Sequence, residues 1–370
     1  MSKAYGIEFL RNRGRKAGEK IPVMEHYRGL SREAVKALTG TDPLLETDRM
    51  NETYLQLGEL LDVDLNWGVG LPVPEKDETH DWSDGQSVKT SREGHPVVQW
   101  GIFHVTAQDD GRHFLHIPLP KDIDEALEFD PLKYFPKTVD EYVEEFQAEY
   151  QQMLDSTSEV TYPIPHHYTT CFHWPLAIFG FELLCEAGME QEDFHCLMER
   201  FAEVSRRITT AWSRVEGLEG LILHDDLTMT AGPIFHPDWY HKHVFPFYPD
   251  IFAPLKEKGI PIIFTSDGNC SKFVDDIIAA GADGLNFEYL VDLETLANRH
   301  PDKILVGNIN NATIAEGPKD KITREVEHCL LVGKEVPGFV VNVGGGLTHQ
   351  IPIDNLRYYI DLRKKLCHSL

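Results

Sequence analysis

The chain has 370 residues, 42% of them hydrophobic, enough to bury a sizeable core. Sixty acidic residues against 35 basic give a formal net charge of −25, which opposes binding to nucleic acid or to an anionic membrane surface. Six scattered cysteines with no C-x-x-C pair, no apolar run long enough to span a bilayer and a basic N-terminus lacking the apolar stretch of a signal peptide set the expectation of a reduced, cytoplasmic protein.

In chain order, SREAVKAL (31–38) predicts a short helix, with Ser31 as N-cap and Gly40 just past its end. ETDRMNETYLQLGELLDV predicts a second helix that leads into the strand-like DLNWGVGLPVP. VVQWGIFHV and RHFLHIPL, joined by TAQDDG, predict a β-hairpin, because Asp-Asp-Gly supplies turn chemistry. Residues 121–160 are acidic with a helical pattern, the signature of a solvated face. After a helical run over 188–212, five apolar runs appear: GLILH (220–224), PIIFT (261–265), GLNFE (284–288), ILVGN (304–308) and FVVNV (339–343). Amphipathic segments separate them, several closed by a glycine (Gly259, Gly281, Gly333). Short strands without a polar face, alternating with helices, mean parallel β/α units. No low-complexity linker divides the chain. The expected fold is therefore α/β: one (β/α)8 barrel over 1–370, with an irregular N-terminal part (1–160) that includes the hairpin and regular units over about 195–366. A doubly wound sheet is the alternative.

In a parallel barrel the chemistry sits at the C-terminal ends of the strands. Here those tips are polar throughout: His224, Asp225 and Asp226; Thr265, Ser266 and Asp267; Glu288; Asn308 and Asn310; then Gly344, Gly345 and Gly346 with His349 beyond. Gathering carboxylates beside an apolar core is unfavourable unless cations, hydrogen bonds or a ligand compensate, so converging tips point to a binding site. Each residue also has a plain structural role open to it. Asp225, Asp226 and Asp267 can cap the segments that follow them, His349 can be a solvated loop residue, and the glycines can bind an anion, turn the chain or admit a bulky ligand. Trp67, Trp100, Phe103, His166, His167, Tyr168 and Trp174 either line an aromatic-binding pocket or belong to the core.

The ordered set HDDLTMTAGPIFHPDWYHKHVFPFYPDIF, PIIFTSDGN, DDIIAAGADGLNFE, ILVGNINNATIAEG and VVNVGGGLTHQIPIDNL resembles the C-terminal half of the uroporphyrinogen decarboxylase superfamily over about 195–366. The resemblance implies a (β/α)8 barrel and one of two activities, a cofactor-free decarboxylase or a methyltransferase that works with a corrinoid protein. Decarboxylases carry an arginine-rich N-terminal signature that holds the carboxylates of a porphyrinogen. The matching stretch IPVMEHYRGL has Glu25 and His26 and keeps only Arg28, and Gly345 stands where those enzymes place a histidine between glycines. DLNWGVGLP likewise does not reproduce their pyrrole-binding aspartate motif. Thiol-activating methyltransferases bind zinc through His and Cys at positions that hold Thr265, Asp267 and Gly345 here. The resemblance then implies an oxygen-rich site, with Asp267, Glu288 and His349 as ligands of a zinc ion. His224, Asp226 and His26 are the expected proton-transfer residues; Asn269, Asn308, Asn310 and Arg28 are the expected substrate contacts. The expected reaction moves a methyl group from a small methylated donor, a methyl ether, to cobalamin on a partner corrinoid protein. A metal-free decarboxylase and a non-catalytic barrel are the alternatives, and a homodimer is an open expectation.

Overall fold

The computed structural model describes residues 2–27, 29–43, 45–67, 89–90, 96–100, 103–107, 114–116, 119–157 and 159–369. The five apolar runs of the second half become strands, and their lack of a polar face follows from burial on both sides. In chain order the strands that position the site are β1 (Met24–Glu25), β2 (Leu65–Trp67), β3 (Tyr162–Ile164), β4 (His166–Tyr168), β5 (Leu221–His224), β6 (Ile262–Ser266), β7 (Gly284–Phe287), β8 (Ile304–Asn310) and β9 (Phe339–Gly344). Pro165 separates β3 from β4, which otherwise form one continuous stave. Proline has no N–H to give a ladder, but its carbonyl still accepts from Ile222 N–H at 2.9 Å.

Every pairing in this set is parallel. β1 pairs with β2 and β2 with β3, then β4 with β5, β5 with β6, β6 with β7, β7 with β8 and β8 with β9. A parallel bridge between Val23 and Val341 links the last strand back to the first, and Val341 N–H donates to Pro22 O at 3.0 Å. The pairings thus run around eight staves, a TIM-type barrel with the expected β/α alternation in its second half. Helix Gln191–Trp212 shows how the outer layer is fixed. Phe194, Leu197, Met198, Phe201, Val204, Ile208, Ala211 and Trp212 recur at helical spacing and are all buried.

The N-terminal part follows the sequence in outline. Helix Arg32–Thr39 has Ser31 accepting from Ala34 N–H, and Gly40 adopts the left-handed conformation at its end. The expected hairpin is corrected to a four-stranded antiparallel sheet of Lys89–Thr90, Pro96–Trp100, Phe103–Ala107 and Phe114–His116. The run VVQWGIFHV divides into two strands, with Trp100 paired to Phe103 across residues 101 and 102. A glycine in a two-residue connection is a hairpin signal that the continuous apolar run conceals. The second connection, between paired Ala107 and Phe114, falls where Asp-Asp-Gly placed it. Among the described residues no helix is long and apolar enough to cross a membrane.

Candidate functional site

Parallel register brings the strand tips to one level. Thr265 on β6 lies opposite His224 on β5, and Tyr168 on β4 lies opposite the same histidine. Ser266 lies opposite Phe287, so the residues that follow each strand, Asp226, Asp267 and Glu288, emerge side by side. They open into a cavity of about 300 Å³ lined by His26, Trp67, His166, His224, Thr265, Ser266, Asp267, Asn286, Phe287, Glu288 and Gly344 to Gly346. That volume is at the small end of ligand pockets. No lysine or arginine is among the described residues that line it.

One wall is a hydrogen-bonded chain. His166 Nε2 and His224 Nδ1 share a bond of 3.0 Å, and His224 Nε2 meets Asp226 Oδ1 at 2.8 Å. Asp267 N–H donates to the same Asp226 oxygen at 2.9 Å, which ties the tip of β6 to that of β5. On the outer side the Tyr168 hydroxyl lies 3.3 Å from Asp226 Oδ2 and 2.6 Å from His173 Nε2, while His173 Nδ1 is 3.3 Å from Asp226 Oδ2. Glu288 accepts Gly268 N–H at 3.1 Å, so β7 is tied to β6 in turn. Gly268 has φ +79, and a Cβ there would meet the carbonyl of Met229 at 2.7 Å, which explains the glycine beside Asp267.

These contacts set the charges. Burial raises the Asp226 carboxyl, but the hydrogen bond and charge of His224, with His173 adding, outweigh it and hold the group well below the usual carboxylate range. Burial opposes a charged His224, yet Asp226 and the other nearby carboxylates raise it. Desolvation by the surrounding walls, with the charges of Asp226 and Glu288 adding, pushes Asp267 up to about 6. His224, Asp226 and Asp267 each offer one ligand atom, and these atoms all lie within 4.8 Å of one another. One imidazole and two carboxylates are a donor set suited to zinc or a similar divalent cation.

The expected site residues separate into groups. His26, His224, Asp267 and Glu288 line one cavity, and Asp226 joins them through His224. The expected metal trio is not brought together. His349 is exposed in the turn after Leu347 and is not among the cavity residues, so Asp267 gathers instead with His224 and Asp226. The reason is local: Gly345 and Gly346 have φ of +74 and +80 and turn the chain so that Leu347 N–H donates to His26 O at 2.8 Å. The asparagines satisfy backbone. Asn308 Nδ2 donates to Glu288 O and Val291 O, holding the loop that carries Glu288. Asn310 caps helix Asn311–Glu316, and Asn269 accepts from Ser271 N–H and hydroxyl. Arg28 lies outside the described residues, as do the side chains of Trp100 and Phe103. Of the remaining aromatic candidates, Trp67 and His166 line the cavity, Tyr168 stands at its outer edge, and Trp174 is buried in the core. Asp225 is a structural anchor: its buried carboxylate accepts Phe172 N–H, His173 N–H and the Tyr248 hydroxyl.

Residues 182–366, half of the chain, match the family model described as uroporphyrinogen decarboxylase (URO-D). The chain belongs to the uroporphyrinogen decarboxylase family. It is 26% identical over 181 residues to a uroporphyrinogen decarboxylase of Hydrogenobaculum sp., covering 48% of this chain and 50% of that protein. A uroporphyrinogen decarboxylase of Thermus thermophilus is 27% identical over 173 residues, 47% of this chain and 49% of its own length. The chain thus spans about half the length of the curated relatives it matches. Over 98% of both chains the fold also superposes on a methyltransferase from Methanosarcina mazei, with a TM-score of 0.61 at 14% identity. Sequence reasoning missed His173 in this member of the family and left His166 and Tyr168 unassigned. In HHY, His166 and Tyr168 share one face by the two-residue period of a strand, a signal hidden by the prolines beside it.

Proposed function

We propose that this protein is a methyltransferase that takes a methyl group from a small methylated donor, a methyl ether, and delivers it to cob(I)alamin on a separate corrinoid protein. The observation that carries the reading is the cavity lining, which is carboxylate and imidazole with no lysine or arginine among its described residues. A porphyrinogen bearing eight carboxylates would meet Asp267 and Glu288 in a space of about 300 Å³ with no lysine or arginine among the described lining residues to pair with. A small uncharged donor meets neither obstacle. The fold likeness to a solved methyltransferase supports the same branch.

The chemical difficulty is the leaving group. When the carbon–oxygen bond breaks, its electron pair stays on oxygen, and an alkoxide departs only if that charge is met. His224, Asp226 and Asp267 are the residues that would hold a divalent cation. Such an ion supplies Lewis-acid polarisation of the donor oxygen when bound. His26, which also lines the cavity, would give a proton to the departing oxygen. Trp67, whose ring lies 5.6 Å from that of His26 and 5.1 Å from that of His166, forms an apolar wall that limits water.

The test is purification followed by metal analysis and a methyl-transfer assay with aryl and alkyl methyl ethers and a cob(I)alamin-loaded corrinoid protein, read by the absorbance change on methylation. Near-stoichiometric zinc and donor-dependent methylation are expected. The second reading, decarboxylation, is favoured by the names of the curated relatives. Metal-free protein that releases carbon dioxide from uroporphyrinogen would replace the first reading with the second.

A further inference from the structure

His224 and Asp226 each present one polar atom to the cluster and turn another away, and each of those outer atoms is met by a side chain outside the trio. His224 Nδ1 meets His166 Nε2 at 3.0 Å. Asp226 Oδ2 meets the Tyr168 hydroxyl and His173 Nδ1, both at 3.3 Å, and those two residues are joined to each other at 2.6 Å. We propose that His166, Tyr168 and His173 are positioning residues of a divalent-cation centre at His224, Asp226 and Asp267. They fix which imidazole nitrogen and which carboxylate oxygen face the ion. The inference rests on the reading that the trio holds a metal.

The argument is one of proton placement and geometry. An imidazole can ligate through Nε2 only when its proton sits on Nδ1, and that proton needs an acceptor. His166 Nε2 is the group in place to accept it. Asp226 lies where the chain leaves β5, and its Oδ1 already accepts from Asp267 N–H at 2.9 Å. Donation into Oδ2 from the Tyr168 hydroxyl, which His173 Nε2 orients at 2.6 Å, leaves Oδ1 as the inward oxygen. Both supports stand on fixed elements. Tyr168 pairs with His224 in the ladder of β4 and β5, which fixes it beside the strand end that leads into Asp226. His173 opens helix His173–Ala187, and its N–H is held at 2.6 Å by the buried Asp225 carboxylate. Partners of this kind affect metal affinity without touching the ion.

The experiment uses the full chain stripped with a chelator and titrated with Zn²⁺ against a chromophoric competitor, with Co²⁺ absorption as a second probe. The wild type is expected to take up one equivalent. Y168F and H166F are each expected to weaken Zn²⁺ affinity about 10- to 100-fold and to change the Co²⁺ spectrum, with the melting temperature of the stripped protein unchanged. H166Q, which keeps an acceptor, is expected to restore most of the affinity. Tight wild-type binding with Y168F and H166F within about twofold of it overturns the positioning roles and leaves the metal reading standing. A wild type that binds no zinc overturns both. If H166F does not fold, Y168F and H173Q decide: undiminished affinity in both refutes the inference, and a loss in either supports it.

Discussion

Replacing Arg363 by methionine tests how the barrel holds β1, and with it His26, in place. Arg363 on helix Ile353–Cys367 and Glu25 on β1 are both fully buried, with Arg363 Nε 3.7 Å from Glu25 Oε1. Tyr359 donates to the same Glu25 oxygen at 2.5 Å, and Arg363 also donates to Leu61 O. Removing the cation leaves a carboxylate in the core with one donor from a side chain, so R363M should lose about 3–5 kcal/mol. The double variant E25L/R363M removes both charges and should recover most of that loss, because two buried charges exchanged for apolar groups are close to neutral. Burial already raises Glu25 above 4.5 against the opposing pull of Arg363, and without Arg363 it rises further. Folded R363M then keeps a proton that the unfolded chain has released. Wild type holds the same proton until pH passes its own raised Glu25 value, so above that value the stability of R363M relative to wild type falls, and it is recovered toward more acid solution. Urea unfolding of the three proteins at pH 5 and pH 8 measures this. A loss under about 1 kcal/mol in R363M, or a deficit that grows toward acid, refutes the ion-pair argument.

Two further variants probe how the backbone carries the site. In G346A the left-handed φ of +80 disfavours any L side chain, and the new Cβ would meet His26 Nδ1 at 2.8 Å and His26 O at 2.9 Å. The expected outcome is a stability loss of about 1–2 kcal/mol together with a fall of up to about 100-fold in turnover as the imidazole is displaced. Unchanged kinetics in a folded G346A would remove His26 from the mechanism. In N308A the loop of Glu288 loses two side-chain hydrogen bonds, so thermal unfolding should show a destabilisation of about 1–3 kcal/mol. A raised KM at unaltered stability would instead return Asn308 to direct substrate contact.

How much of this was legible in the sequence depends on what each residue reports locally. β5 to β9 were readable because both faces of each strand are buried, which writes a short apolar run with polar residues just after it. β1, β3 and β4 were not, since strands of two or three residues beside Pro22, Pro163 and Pro165 carry neither a run nor a clear alternation. Only the ladder to β2, β5 and β9 makes them staves. The candidate site divides along the same line. That β5, β6 and β7 end in acidic residues is a property of each segment, and it located the mouth. Which tips share a ligand depends on register. Thr265 opposite His224 sets Asp226 beside Asp267, and no residue type announces that alignment. His349 is the converse case, a residue singled out for following three glycines, yet two of those glycines take the backbone conformation that turns the chain back to His26. A polar residue after a buried strand therefore marks where a site opens. The composition of the site is fixed one level higher, by the hydrogen-bond ladders that set neighbouring strands in step.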